Sequence, residues 1–304
     1  MLKRILRLAV VFAVTAMVVW GTWYAESRLD PEARATISVA DAAERPIDIP
    51  VLMYHSINSN KNRASDYVIT PAAFRGDMEW LQKNGYHTVV VQDLLNYVEQ
   101  GIPLPEKPVM VTFDDGYYNN YLNVFPILKE LQMKAVISII GTETDKYSAL
   151  EETSENYSHL TWYQINEMMK SGLVEFQNHS YNMHKSGGND GPRKGISKMK
   201  GESTESYQKA IREDVGKAQA RYTEMTGWTP TAFAYPFGSV SRDSYPVLEE
   251  LGFRVTLDAQ GRIFRLTRDP DCLRRIPRFN RPWGTTAQQI IEDAAKRQNA
   301  NTGK

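Results

Sequence analysis

What most constrains this chain is an alternation that begins near residue 49: short apolar runs, each followed by a stretch with apolar residues at helical spacing. "IPVLMYHSI" reads as a buried strand, and "TPAAFRGDMEWLQKNG" as a helix with Thr70 at the N-cap, Pro71 at the first helical position and Gly85 at the stop. "YHTVVV", "PVMVTF", "KAVISIIG", "LVEFQN", "TAFAYPFG" and "FRVTLD" read as further strands. The helices between them are "QDLLNYVEQG", "NNYLNVFPILKELQ" bent near Pro126, "TWYQINEMMKSG" and "SRDSYPVLEELG". A long helix from about Thr204 carries Tyr207, Ile211, Val215, Ala218, Tyr222 and Met225 on one stripe. Repeated βα units require a parallel sheet covered by helices, and six or seven of them predict an α/β fold, a distorted (β/α)7-type barrel in one domain over 49–296. A polar tail, 297–304, would follow it. The Gly- and Lys-rich segment 185–203 reads as a long surface loop.

The N-terminus has a different character. Lys3, Arg4 and Arg7 precede 18 uncharged positions, Leu8 to Ala25, with Trp20, Trp23 and Tyr24 at the far end. That length predicts an N-terminal membrane helix over residues 1–25, with the basic end inside and the bulk of the chain extracellular. Secretion after signal cleavage is the alternative, less favoured because the apolar stretch is long and no small-residue cleavage site follows closely. Residues 26–48, polar with Pro31 and Pro46, read as a linker. Thirty-six basic residues balance thirty-six acidic ones, which gives no field to draw the chain onto nucleic acid. The single cysteine, Cys272, excludes an internal disulfide framework and any multi-cysteine metal site. No obligate protein partner is indicated.

Ligands of parallel α/β sheets bind beyond the carboxyl ends of the strands, so chemistry is expected just after the apolar runs. Asp114 and Asp115 follow "VMVTF", His179 and His184 follow "LVEFQN", and Tyr235, Pro236 and Phe237 follow "TAFA". Neighbouring aspartates at a strand end point in different directions, which assigns them two jobs. One can ligate a cation while the other accepts a proton from water that the cation has made acidic. His179 and His184, five apart, would lie about 140° apart on a helix, so joint ligation requires a loop between them. "DDG" by itself is also a common turn.

Together these segments resemble the polysaccharide deacetylase family, the NodB homology domain or carbohydrate esterase family four. "TFDDG" is similar to its first motif, "NHSYNMH" to a longer-spaced second motif and "FAYPFG" to its third, and the resemblance spans roughly 49–283. "VLMYHSI" is similar to the extracellular branch that includes poly-N-acetylglucosamine deacetylases. The resemblance implies Asp114 as catalytic base, and Asp115, His179 and His184 as ligands of one divalent metal, Zn2+ foremost, Co2+ or Ni2+ otherwise. It implies the Phe237 N–H, with Tyr235 beside it, at the oxyanion and substrate. The implied reaction is attack of metal-bound water on the N-acetyl group of an N-acetylglucosamine polysaccharide, peptidoglycan or poly-N-acetylglucosamine. Ala234 stands where many members have an arginine, for which Arg278 or Arg281 could substitute, and no histidine follows His184 to act as the usual acid. His55, at the end of the first strand, is the candidate acid; a structural histidine is the competing reading. Asp258 resembles the fourth-motif acid without its histidine partner. Lys185, Arg193, Lys194, Lys198 and Lys200 could meet an anionic glycan or simply be solvated, and Tyr117, Tyr118, Tyr181 and Trp283 could stack on sugars or pack. A degenerate glycan-binding domain and an O-acetyl esterase with the same metal site are the rival functions.

Overall fold

A computed structural model describes residues 46–302 apart from residue 151. The expected membrane helix over 1–25 and most of the linker lie outside the described residues. Among the described residues no helix is long and apolar enough to cross a membrane. The linker expectation runs too far at its end: Ile47–Ile49 is already β1, paired antiparallel with β11 at Phe264–Leu266.

The strands are β2 Val51–Tyr54, β3 Ser56–Ile57, β4 Val68–Ile69, β5 His87–Thr88, β6 Pro108–Phe113, β7 Ala135–Ile139, β8 Val174–Asn178, β9 Ala232–Ala234, β10 Val255–Leu257 and β12 Phe279–Asn280. The helices are α1 Pro71–Lys83, α2 Val91–Gln100, α3 Phe125–Leu131, α4 Gly141–Leu150, α5 Trp162–Lys170, α6 Thr204–Thr226, α7 Tyr245–Glu250 and α8 Ala287–Thr302. A π-type turn at Asn120–Val124 leads into α3 and absorbs the bend expected at Pro126. Thr70 caps α1 as read from sequence, accepting from the Ala73 N–H, and Thr161 with Gln164 forms a capping box on α5.

Seven strands pair in parallel in the order β10-β9-β8-β7-β6-β2-β12, with β5 also on β6. The sheet curls as a parallel half-barrel, and an isolated bridge between Leu257 and Ile276 links β10 to the segment leading into β12, so the expected seven-unit barrel is realised in part. Side-chain alternation divides β6 cleanly. Val109, Val111 and Phe113 join the core under α1, α3 and α5, whereas Met110 joins a second core with Val51, Val136, Ala234, Leu257 and α2. The helix α6 packs Tyr207, Ile211 and Val215 against Phe233 and Phe253. Its expected stripe ends one residue early, because Met225 is exposed in the last turn. The expected polar tail at 297–304 is instead largely the end of α8.

Candidate metal centre and acid–base cleft

The two-residue period of β6 continues through Thr112 to Asp114, which therefore points to the inner side of the sheet and meets Arg278 arriving just before β12. The guanidinium makes two parallel 2.7 Å bonds to the carboxylate and one of 3.3 Å to Thr112 Oγ1, and its Nε donates to the Asp258 carbonyl at 3.0 Å. Both side chains are buried. Burial alone would raise the Asp114 pKa, but Arg278, with His179 and His55, holds it far below the ordinary carboxylate range. Of the two arginines offered by sequence, Arg278 takes the position beside Asp114. Arg281 goes elsewhere, to Asp77 at 2.7 Å.

Asp115 leaves the strand alternation because its backbone is left-handed, with φ 71°, followed by Gly116 at φ 70°. A side chain at Gly116 would press within 2.5 Å of Ile139 Cγ2, so the glycine lets the turn close on β7 and swing Asp115 toward the histidines. His179 extends the inner phase of β8. Its Nδ1 lies 2.8 Å from the Ala234 carbonyl, which can only accept, so the proton sits on Nδ1 and the Nε2 lone pair faces the site. Burial pushes the imidazole pKa down to about 4, which keeps that nitrogen free of a second proton.

His184 reaches the same point through a loop, as the five-residue spacing requires. Asp214 on α6 accepts from the Tyr181 and Asn182 N–H groups at 2.9 Å each, and the Tyr181 carbonyl accepts from Thr142 at the start of α4. Gly141 allows this approach, since a Cβ there would meet Tyr181 Cδ2 at 2.6 Å. Asp115 Oδ1 then lies 3.5 Å from His179 Nε2 and 3.2 Å from His184 Nε2, and suitable ligand atoms of the three residues all fall within 4.8 Å of one another. Asp115 Oδ1 is buried with no hydrogen-bond partner, and a bare imidazole lone pair faces it. Asp115 Oδ1 and His179 Nε2, electron-rich atoms facing each other without a proton between them and with His184 Nε2 beside them, fit a divalent cation, and one Asp with two His leaves coordination positions open.

The remaining residues fall around a cleft of about 370 Å3 that exposes His55, Asp114, Asp115, His179, His184, Phe237 and Arg278 on its walls. His55 Nδ1 is buried without a partner, and its ring abuts Tyr67 edge-on at 4.8 Å. Phe237 is also left-handed, φ 58°, and its ring packs on His184 at 4.4 Å. Its N–H meets no acceptor among the described residues. Tyr235 is buried with its ring against Phe233, its N–H is taken by the Leu257 carbonyl, and its carbonyl accepts from the Gly238 N–H. It lines the cleft wall, and its hydroxyl lies 3.5 Å from Ser244 Oγ. Asp258 binds Arg275 at 2.9 Å and shapes the pocket of Arg278 rather than facing the cleft as an acid.

Two residues escaped the sequence reading, and a third was read differently. Asp214 was hidden as one carboxylate on a polar helix. His159 stacks between Tyr117 and Tyr147 at 4.8 and 5.6 Å, beside a smaller cavity that shares Asp115 and His184 with the cleft, and no motif marked it. Arg193 was read as loop charge, but it is tied to Glu202 and lies over Tyr207.

A family model described as polysaccharide deacetylase matches residues 101–256. The chain belongs to the polysaccharide deacetylase family. It is 28% identical over 258 residues to poly-β-1,6-N-acetyl-D-glucosamine N-deacetylase of Escherichia coli (strain K12), covering 79% of this chain and 38% of that protein. The enzyme of the same description from Staphylococcus aureus (strain MRSA252) is 25% identical over 196 residues, covering 64% and 62%. The chain thus spans under two thirds of these relatives. Among solved structures, a de-N-acetylase from Aggregatibacter actinomycetemcomitans superposes with a TM-score of 0.69 at 23% identity, covering 81% of this chain and 99% of that one. IcaB from Ammonifex degensii gives 0.65 at 25%, covering 82% and 96%.

Proposed function

We propose that this member of the family is a divalent-metal-dependent hydrolase that removes N-acetyl groups from an extracellular polymer of N-acetylglucosamine, of the poly-β-1,6 class. The observation that carries the reading is the juxtaposition, in one cleft, of the Asp115–His179–His184 cluster with the separately compensated Asp114. The relatives' substrate favours poly-N-acetylglucosamine over peptidoglycan.

A divalent cation held by Asp115, His179 and His184 would polarise the acetyl carbonyl and acidify water at the open positions. Asp114, kept ionised by Arg278, accepts the proton that water loses as its oxygen bonds to the carbonyl carbon. The Phe237 N–H donates to the oxyanion that forms. His55 delivers a proton to the nitrogen as the C–N bond breaks, leaving acetate and a free amine on the sugar. Residues 1–25 would tether the domain to the outer face of the membrane, a reading supported by the basic flank before the apolar stretch.

Acetate release by the full chain, compared on β-1,6-N-acetylglucosamine oligomers, peptidoglycan fragments and O-acetylated sugars, tests the reading. Release from the first alone, abolished by chelator and restored by Zn2+, is expected. Release only from O-acetyl esters, or release indifferent to chelator, would overturn it.

A further inference from the structure

Outside the Asp115–histidine cluster, the carboxylates around the centre are answered by cations of this chain. Asp114 is answered by Arg278, Asp258 by Arg275, and Glu143, in the adjoining cavity, by Lys146 at 3.4 Å. Lys194 is different. It is exposed, lines the cleft and has no carboxylate partner among the described residues, and its Nζ lies 5.8 Å from the centre of the Phe237 ring. Phe237 in turn packs on the ligand histidine His184.

The backbone on either side holds this cation in place. Arg193, just before it, binds Glu202 and donates to the Ser197 carbonyl at 2.6 Å. Gly195, just after, is left-handed at φ 52° and so close to the third motif that a Cβ would lie 2.6 Å from the Pro236 carbonyl oxygen; Ile196 beyond it is fully buried. The segment expected to be a solvated loop is therefore docked on "YPFG" and carries one unpaired ammonium to the cleft wall.

We propose that Lys194 determines specificity by rejecting sugars next to an already deacetylated residue, an inference that rests on the reading above. The N-acetyl group is neutral, whereas the amine left by each turnover is a cation. A polymer laid across the cleft with a free amine near Lys194 meets like charge, and a unit flanked by intact N-acetyl groups does not. Because Lys194 is exposed, the repulsion is screened as in bulk water, and at one sugar's separation of about 5 Å the penalty amounts to roughly three- to tenfold in kcat/KM. Deacetylation then limits itself, because each product amine disfavours reaction beside it.

The test compares kcat/KM of the full chain on two β-1,6 oligomers of equal length, one fully N-acetylated and one with a single internal glucosamine, at low and high salt. The wild type should prefer the fully acetylated oligomer by about three- to tenfold at low salt, less at high salt. In Lys194→Met the ratio should fall toward one, and in Lys194→Glu it should invert. A wild-type preference that survives unchanged in both variants overturns the inference alone. Acetate from neither oligomer overturns the functional reading and this inference with it.

Discussion

Two buried arginine–aspartate pairs issue from the single stretch "RIPRFNRP", and they behave differently. Arg281 donates to Asp77, but so do the Tyr54 hydroxyl at 3.1 Å and the Ala287 N–H at 2.9 Å, so that carboxylate is surrounded and fastens α8 to α1. Among the described residues Arg278 is the only side chain donating to Asp114, along one edge, and the carboxylate also lines the cleft. Each carboxylate oxygen can accept twice. Asp77 has three of its four acceptor sites filled and serves as a clamp; Asp114 has two filled and faces a cavity, the arrangement a general base would need.

Three substitutions can break this contrast. The largest effect is expected for Asp114→Asn, which should lower kcat for acetate release on the order of 10³-fold with the metal content unchanged, since an amide cannot take a proton from water. Arg278→Met should cost on the order of 10²-fold and alter the pH profile. Arg278 depresses the Asp114 pKa, so its removal raises that pKa, and the acid limb of kcat/KM should move to higher pH. A limb that stays in place would mean the arginine only packs. Arg281→Met leaves Asp77 charged and unpaired, and chemical denaturation should register a loss of about 3 to 5 kcal/mol. Its kcat, measured well below the unfolding midpoint, should stay within about twofold of wild type. Equal losses of turnover in the two arginine variants would erase the distinction.

The fold was legible wherever a hydrophobic period ran long enough. The runs at 108–113, 135–139 and 174–178 are strands because they are buried on both faces, as parallel strands require. The helix α4 escaped notice because only Gly141, Thr144 and Tyr147 among its residues are buried, too few apolar positions to mark a face. The short strands β11 and β12 carry too little pattern to read, and with β12 went the means of choosing between Arg278 and Arg281. The possible metal-binding triad was legible because Asp115 and His179 stand at strand ends, with His184 five residues further on. What makes them converge was not: the left-handed turns at Asp115, Ser180 and Phe237 and the grip of Asp214 on the His184 loop arise from tertiary contacts. The docking of 194–196 on the third motif is likewise a property of packing.

The central claim is that Asp115, His179 and His184 hold one cation beside a base that does not bind it. Calorimetric titration of chelator-treated full chain with Zn2+ tests this directly, alongside Asp115→Ala and Asp114→Asn. The wild type and Asp114→Asn should each bind one equivalent, and Asp115→Ala should lose at least an order of magnitude in affinity. Binding that survives in Asp115→Ala but vanishes in Asp114→Asn, or no stoichiometric binding by the wild type, would contradict the account.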